Sequence, residues 1–373
     1  MKIQQYRHPD TGKKSWMVLG DNFLPFQPVC EFLEFQENVG RSPNTIRAHA
    51  LRLKTLLEFL KERRKSWQDL DLQLASEFVS WLRLPNPSVV PMFEFTAKRL
   101  DSTINAYVGS LSVFAEYCVQ RGLGCEKLSH FVLRINPSKR YKPLLHHITK
   151  GKAVRTSLLK KRVLKRIPRT LNRPVVLDLI RSCRTWRDRL LLGLLYQGGL
   201  RIGQVLGLRH SDIHSWENAV FVEPRDDNSN GARAKTKESY KVEVPQELMS
   251  VYTRYVLDEF GDIQSDYVFV NLWGGDVGRP LTYSSVVKVF RRLSNKVGTK
   301  VTPHMFRHTH ATELLKAGMR AEVARKRLGH KDVQTTLNTY EHLSFDDTQA
   351  EYHQFQKSLS TQIEAILSEE LSK

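Results

Sequence analysis

The chain reads as a mainly α-helical protein with a small β-sheet, divided into a helical N-terminal domain and a mixed α/β domain. Three observations carry this. Apolar residues recur at three- and four-residue steps from Ile46 to Leu60 and again from Ile104 to Ala115, the period of one buried helix face. Two later runs, Ala219 to Glu223 and Tyr240 to Val244, have the composition of short strands, with the polar loop Arg225 to Lys237 between them. Between the two parts, from Lys150 to Arg169, nine residues are Lys or Arg and none is acidic, which suits a linker lying along a polyanion.

Taken in order, Ile3 to His8 and Ser15 to Leu19 are β-prone runs around Pro9-Asp10-Thr11-Gly12, a turn signal that predicts a hairpin. Ser42-Pro43-Asn44 predicts a helix start, because serine caps the free amides and proline suits the first helical position. Arg47, Arg52 and Lys54 fall mainly off that helix's apolar face, where they solvate it or reach phosphates. A second helix runs from Thr103 to Arg121 and stops before Gly122. Val175 to Cys183 and Trp186 to Tyr196 are helical, and Ala321 to Leu328 is a helix that Gly329 closes. In the tail, Tyr352, Phe355, Leu359, Ile363 and Leu367 lie near a common helical face. The expected divisions are a hairpin over 1–25, a helical domain over 26–135, a basic linker over 136–169, a mixed domain over 170–345 and a helical tail over 346–373.

The 373 residues allow two domains with cores of their own. Lys and Arg number 58 against 39 Asp and Glu, a formal charge of +19 that points to a polyanionic partner. Cys30, Cys118, Cys125 and Cys183 have no metal-site or disulfide-framework spacing and suit a reducing compartment. The start lacks the apolar core of a signal peptide, and no apolar run reaches the roughly 20 residues of a membrane span. The expectation is a soluble cytoplasmic protein with no membrane association.

The chemistry-bearing residues are Arg201 in Gly198-Gly199-Leu200-Arg201, then His304-Met305-Phe306-Arg307-His308, Leu328-Gly329-His330 and Asn338-Thr339-Tyr340. Arginine carries a permanent charge on a planar fork that matches two phosphate oxygens. Histidine moves protons near neutral pH, and tyrosine can hold a phosphate as a covalent ester. On a helix, His304 and Arg307, three apart, share a face. His304, His308 and His310 suggest zinc, but His-Glu-x-x-His is absent and no acid or cysteine stands nearby, so no metal is expected.

The ordered set resembles the catalytic signature of the tyrosine recombinases, the phage-integrase family, and is most similar to the transposon-borne members. Thr302 to Thr312, Leu328-Gly329-His330 and Gly199 to Arg209 carry the resemblance, and Ser42 to Arg47 resembles the family's DNA-binding domain. It implies a helical, SAM-like core-binding domain followed by a mixed α/β tyrosine-recombinase catalytic domain. It also implies strand exchange on double-stranded DNA through a 3′-phosphotyrosyl bond, with no metal, ATP or other cofactor. Arg201 and Arg307 would clamp the scissile phosphate, His304 would accept a proton, His330 would orient the phosphate and Tyr340 would be the nucleophile. A lysine in the turn between two strands would protonate the leaving 5′ oxygen. Lys235 is the choice, from the Lys-Thr pair after a small residue, while counting back from Pro245 favours Lys237. A homotetramer is expected in the synaptic complex, with room for element-encoded helper proteins. Many relatives carry Glu three residues after the first arginine, and Gln204 stands there instead. The rival readings are a type IB topoisomerase and a non-catalytic DNA-binding protein.

Overall fold

The computed structural model describes residues 1–8, 12, 14–84, 99–123, 133–135, 154–156, 159–163, 169–225, 227–234, 236 and 238–329. The chain forms two compact units, 1–165 and 166–373. The first opens on an antiparallel hairpin, β1 (Lys2–Arg7) with β2 (Lys14–Leu19), in the register Lys2 to Leu19 and Arg7 to Lys14. Gly12 in its turn has a φ of 63°, a conformation that favours glycine.

Four helices follow: α1 (Gln27–Asn38), α2 (Pro43–Glu62), α3 (Leu72–Arg83) and α4 (Asp101–Gln120). At the start of α2 the Ser42 hydroxyl accepts from the Thr45 amide at 3.2 Å and Pro43 takes the first turn. Asp71 caps α3 in the same way, accepting from the Leu74 amide at 2.8 Å. The inward faces meet in an aromatic core of Phe32, Phe59, Phe78 and Phe114, with Phe32 and Phe114 edge to face at 5.5 Å. The three cations singled out on α2 are engaged within the unit. Arg47 lies over the Trp16 ring at 5.1 Å, Arg52 donates to the Ser110 hydroxyl at 3.2 Å, and Lys54 pairs with Glu58 at 2.7 Å.

At the end of the span expected to be helical, β3 (Leu133–Ile135) pairs antiparallel with β4 (Val154–Thr156) of the basic stretch. Further along, the Lys161 backbone exchanges two hydrogen bonds with the Asn105 side chain of α4, at 2.8 and 3.0 Å. That part of the basic stretch is pinned to the helical unit.

The second unit contains α5 (Arg173–Arg181), α6 (Trp186–Tyr196) and the one-turn α7 (Ile202–Val205). A three-stranded antiparallel sheet follows, β5 (Ile213–His214), β6 (Ala219–Val222) and β7 (Tyr240–Glu243), with Val220 opposite Val242. Then come α8 (Gln246–Tyr255), α9 (Tyr283–Val297), α10 (Pro303–Lys316) and α11 (Ala321–Leu328). Leu190, Leu192, Leu194 and Leu195 of α6 are wholly buried, so this helix is apolar on most sides and forms the centre of the unit. Asp188 at its start is buried between Arg187 (2.9 Å) and Arg292 (2.6 Å), which supply the countercharge burial requires. Among the described residues no helix is long and apolar enough to cross a membrane.

Candidate active site

Arg201 is placed by the way α6 ends. Gly199 takes φ +62°, the left-handed conformation, and the Leu200 amide returns to the Leu194 carbonyl at 3.2 Å, closing one of the helix's orphan acceptors. A β-carbon on Gly199 would overlap the His310 imidazole, so the turn and α10 meet at a glycine for steric as well as conformational reasons. Arg201 then caps α7, and its amide donates to Gln204 Oε1 at 2.8 Å.

Arg307 comes from α10, whose first position is Pro303. It is 7% exposed, and its fork donates through Nη1 to the Gly199 carbonyl at 2.7 Å and through Nη2 to the Leu328 carbonyl at 2.5 Å. Arg201 Nη1 donates to the next carbonyl, that of Gly329, at 3.3 Å. The two guanidinium groups are thus brought together at the C-terminal end of α11. There the last helical carbonyls lack intrahelical partners and the helix dipole favours cations. Burial lowers the Arg201 pKa, with the nearby Tyr240 phenol opposing that shift. The guanidinium remains charged at any working pH.

His304 is exposed at the first turn of α10, while Arg307 one turn later is buried. Spacing alone therefore places the two on one helix side without giving them one environment. His308 has its pKa lowered by burial and by the neighbouring His304 and Arg307. His310 is pushed down to about 4 by burial, then by Arg327 and Arg307. It is therefore a neutral imidazole near neutral pH, and its Nε2 accepts from Arg327 Nε at 3.4 Å. Among the described residues no group of three or more His, Cys, Asp or Glu side chains is arranged to hold a metal ion.

Lys235, Lys237, His330 and Tyr340 lie outside the described residues, as does the tail over 346–373. The chain leading to Lys235 is described and is built into the unit. Ala232 and Ala234 are buried, and the Arg233 carbonyl abuts Gly203, so that any β-carbon there would collide with it. Asn230 bridges the Leu206 and Leu281 carbonyls at 2.9 Å each.

Two residues of this neighbourhood were given no structural role from sequence. Arg327, in the last turn of α11, donates Nη2 to the Glu243 carbonyl at 2.8 Å and to the Gln197 carbonyl at 3.3 Å, lacing α11 to β7 and to the end of α6. Tyr240, which opens β7, accepts from Gln204 Nε2 at 2.8 Å and packs against Gly329. The basic last turn of α11 was a signal for the first. The second had none beyond residue type.

Residues 145–347 match the model of the phage integrase family, and residues 30–89 match that of the phage integrase N-terminal SAM-like domain. The chain belongs to the phage integrase family. It is 39% identical to transposase A from transposon Tn554 of Staphylococcus aureus, over 95% of this chain and 98% of that one. Similarity extends to the tyrosine recombinase XerA of Thermococcus kodakarensis, 26% identical over 84% of this chain and 89% of that one. In fold it is similar to the Tn1549 transposon integrase in complex with a circular intermediate DNA, with a TM-score of 0.59 at 20% identity, covering 87% and 99% of the two chains. XerH recombinase bound to its difH substrate gives 0.54 at 18% identity, covering 84% and 79%. The protein is a transposon-associated tyrosine recombinase, a DNA strand-exchange enzyme with a SAM-like helical domain and a mixed α/β catalytic domain. These relatives favour neither the topoisomerase reading nor the binding-only one.

Proposed function

We propose that this enzyme cuts and rejoins double-stranded DNA at the ends of a mobile element through a 3′-phosphotyrosyl intermediate formed by Tyr340. The observation that carries this is the pair of guanidinium groups, Arg201 and Arg307, held on the adjacent carbonyls of Gly329 and Leu328, immediately before His330 in the chain. Two fixed forks can neutralise the charge that builds on the non-bridging oxygens as phosphorus becomes five-coordinate. The Tyr340 oxygen attacks phosphorus and passes its proton to His304. The bond from phosphorus to the 5′ oxygen breaks, and Lys235, or Lys237 in the same turn, supplies that oxygen's proton. His330 holds a non-bridging oxygen. The ester to tyrosine keeps the bond energy, so a 5′ hydroxyl from a partner strand reverses the step on a new DNA without ATP. Arginine charge replaces a metal ion. Four protomers acting in a synaptic complex in the cytoplasm, with element-encoded helpers, complete the reading. Support for the mobile element comes from the transposase of Tn554, similar along nearly its whole length.

A nicked suicide substrate tests this in EDTA and without nucleotide. The wild-type chain should accumulate a covalent protein–DNA adduct. Tyr340→Phe should bind the same DNA and form none, since only a hydroxyl is removed. An undiminished adduct from Tyr340→Phe would reject Tyr340, and strict dependence on magnesium would reject the metal-free mechanism.

A further inference from the structure

Four residues close a circuit around the first arginine of the clamp. The Arg201 amide donates to Gln204 Oε1 at 2.8 Å, and Gln204 Nε2 donates to the Tyr240 hydroxyl at 2.8 Å. The Tyr240 ring lies against Gly329, where an added β-carbon would stand 2.7 Å from Cζ and 2.8 Å from Cε1 and the hydroxyl oxygen. Gly329 has φ +58°, and its carbonyl accepts from Arg201 Nη1 at 3.3 Å. The path returns to the residue it left, joining the backbone of Arg201 to its own guanidinium.

We infer that Tyr240, acting through Gln204, is a positioning residue that fixes Arg201 and the end of α11 together. Gln204 is 2% exposed, so both ends of its amide must find partners inside the protein. The orientation is determined by those partners. Turned over, the amide would set its NH2 against the Arg201 N–H, donor against donor. The phenol oxygen is the acceptor that this orientation needs, and a carboxylate at position 204 would not need it. Tyr240 also opens β7, three residues after Lys237 in the chain, and lies on the same side of the strand as the buried Val242. One tyrosine thereby ties the start of β7, the first arginine and the residue before His330 to a common reference.

This inference rests on the clamp reading, and the test separates the two. Tyr240→Phe keeps the ring against Gly329 but strands Gln204 Nε2. Its single-turnover cleavage should fall about five- to ten-fold, the worth of one buried hydrogen bond, with DNA affinity unchanged and the thermal midpoint lowered by a few degrees by the stranded amide. Arg201 acts on the charge of a non-bridging oxygen. On a substrate whose scissile phosphate is a neutral methylphosphonate, the penalty should therefore shrink to about two-fold or less. Gln204→Leu should be impaired like Tyr240→Phe, and the double variant should be no worse than the poorer single. Gln204→Glu, whose carboxylate can accept from both Arg201 N–H and Tyr240 O–H, should recover several-fold over Gln204→Leu. Equal penalties on the two substrates, or additive losses in the double variant, would overturn the positioning role while the clamp stands. If the wild-type chain gave no covalent adduct on ordinary DNA, the clamp reading would fall and this inference with it.

Discussion

Acidification from pH 7 to pH 5 should weaken the fold, with His310 responsible for an identifiable part. Its imidazole is wedged against Gly199, and its Nε2 faces the Arg327 N–H, so a proton there would set donor against donor beside two arginines. The folded protein holds its pKa at about 4, whereas the unfolded chain has the ordinary 6.5. The unfolded state therefore binds more protons through this interval, and stability falls as pH falls from about 6.5 toward 4, then levels once both states are protonated. Integrating between pH 7 and pH 5 gives a loss of about 2 kcal/mol from this one residue. Urea unfolding of the full chain at the two pH values, for wild type and His310→Gln, isolates it. The other histidines and the other unit contribute alike to both chains and cancel in the double difference. Wild type should lose about 2 kcal/mol more than the variant. A double difference near zero would show that His310 is not held neutral by this environment and would refute the reasoning.

Gly199→Ala should destabilise the protein by about 2 kcal/mol or more, since alanine is strained in the left-handed region and its methyl meets the His310 ring. Thermal unfolding measures it, and cleavage should fall in parallel because the Gly199 carbonyl holds Arg307. Arg307→Lys should lose about 100-fold or more in adduct formation, as one ammonium cannot reach the Gly199 and Leu328 carbonyls while presenting a fork to phosphate. For the general acid, Lys235→Ala should cleave slowly on ordinary DNA and regain much of its rate on a substrate with sulfur at the bridging 5′ position, because a thiolate leaves unprotonated. Sulfur rescue of Lys237→Ala alone would move the acid to Lys237.

What the sequence made legible was whatever is marked by local chemistry. Ser42-Pro43 and Gly329 each announce a helix boundary, the first through a cap and a fixed φ and the second through a permitted left-handed turn, and both boundaries stand where they were expected. The hairpin and the strands β6 and β7 were readable from residue type and spacing. The two-residue strand β5 was not, because no alternation can be detected in so short a run. Arg201 and Arg307 were legible as chemistry, but their partners were backbone carbonyls, which every residue possesses and no sequence pattern distinguishes. The same blindness hid Arg327, whose bonds run to the carbonyls of Gln197 and Glu243. The histidines His304, His308 and His310 form one run in the sequence, and position in the fold separates its members. His304 lies at the exposed start of α10, and His310 is buried as a neutral wedge beneath the Gly199 turn.

On the proposed clamp reading, the carbonyls explain how the two forks can be set before a phosphate arrives. A guanidinium on a flexible stem loses rotational freedom when it binds an anion, and that cost is removed in advance if the fork is already bonded to the protein. Here the bonding groups are acceptors that α11 cannot satisfy internally, so holding the arginines also completes a helix end. Neutral carbonyls suit this purpose better than carboxylates, because they orient the fork without cancelling its charge. Two buried acids of the unit are paired with other arginines, Asp188 with Arg187 and Arg292, and Asp212 with Arg225. Gln204 follows the same logic beside Arg201. It fixes the backbone through a neutral amide, and the positive field that the proposed clamp on a phosphate needs is not reduced by a carboxylate at position 204.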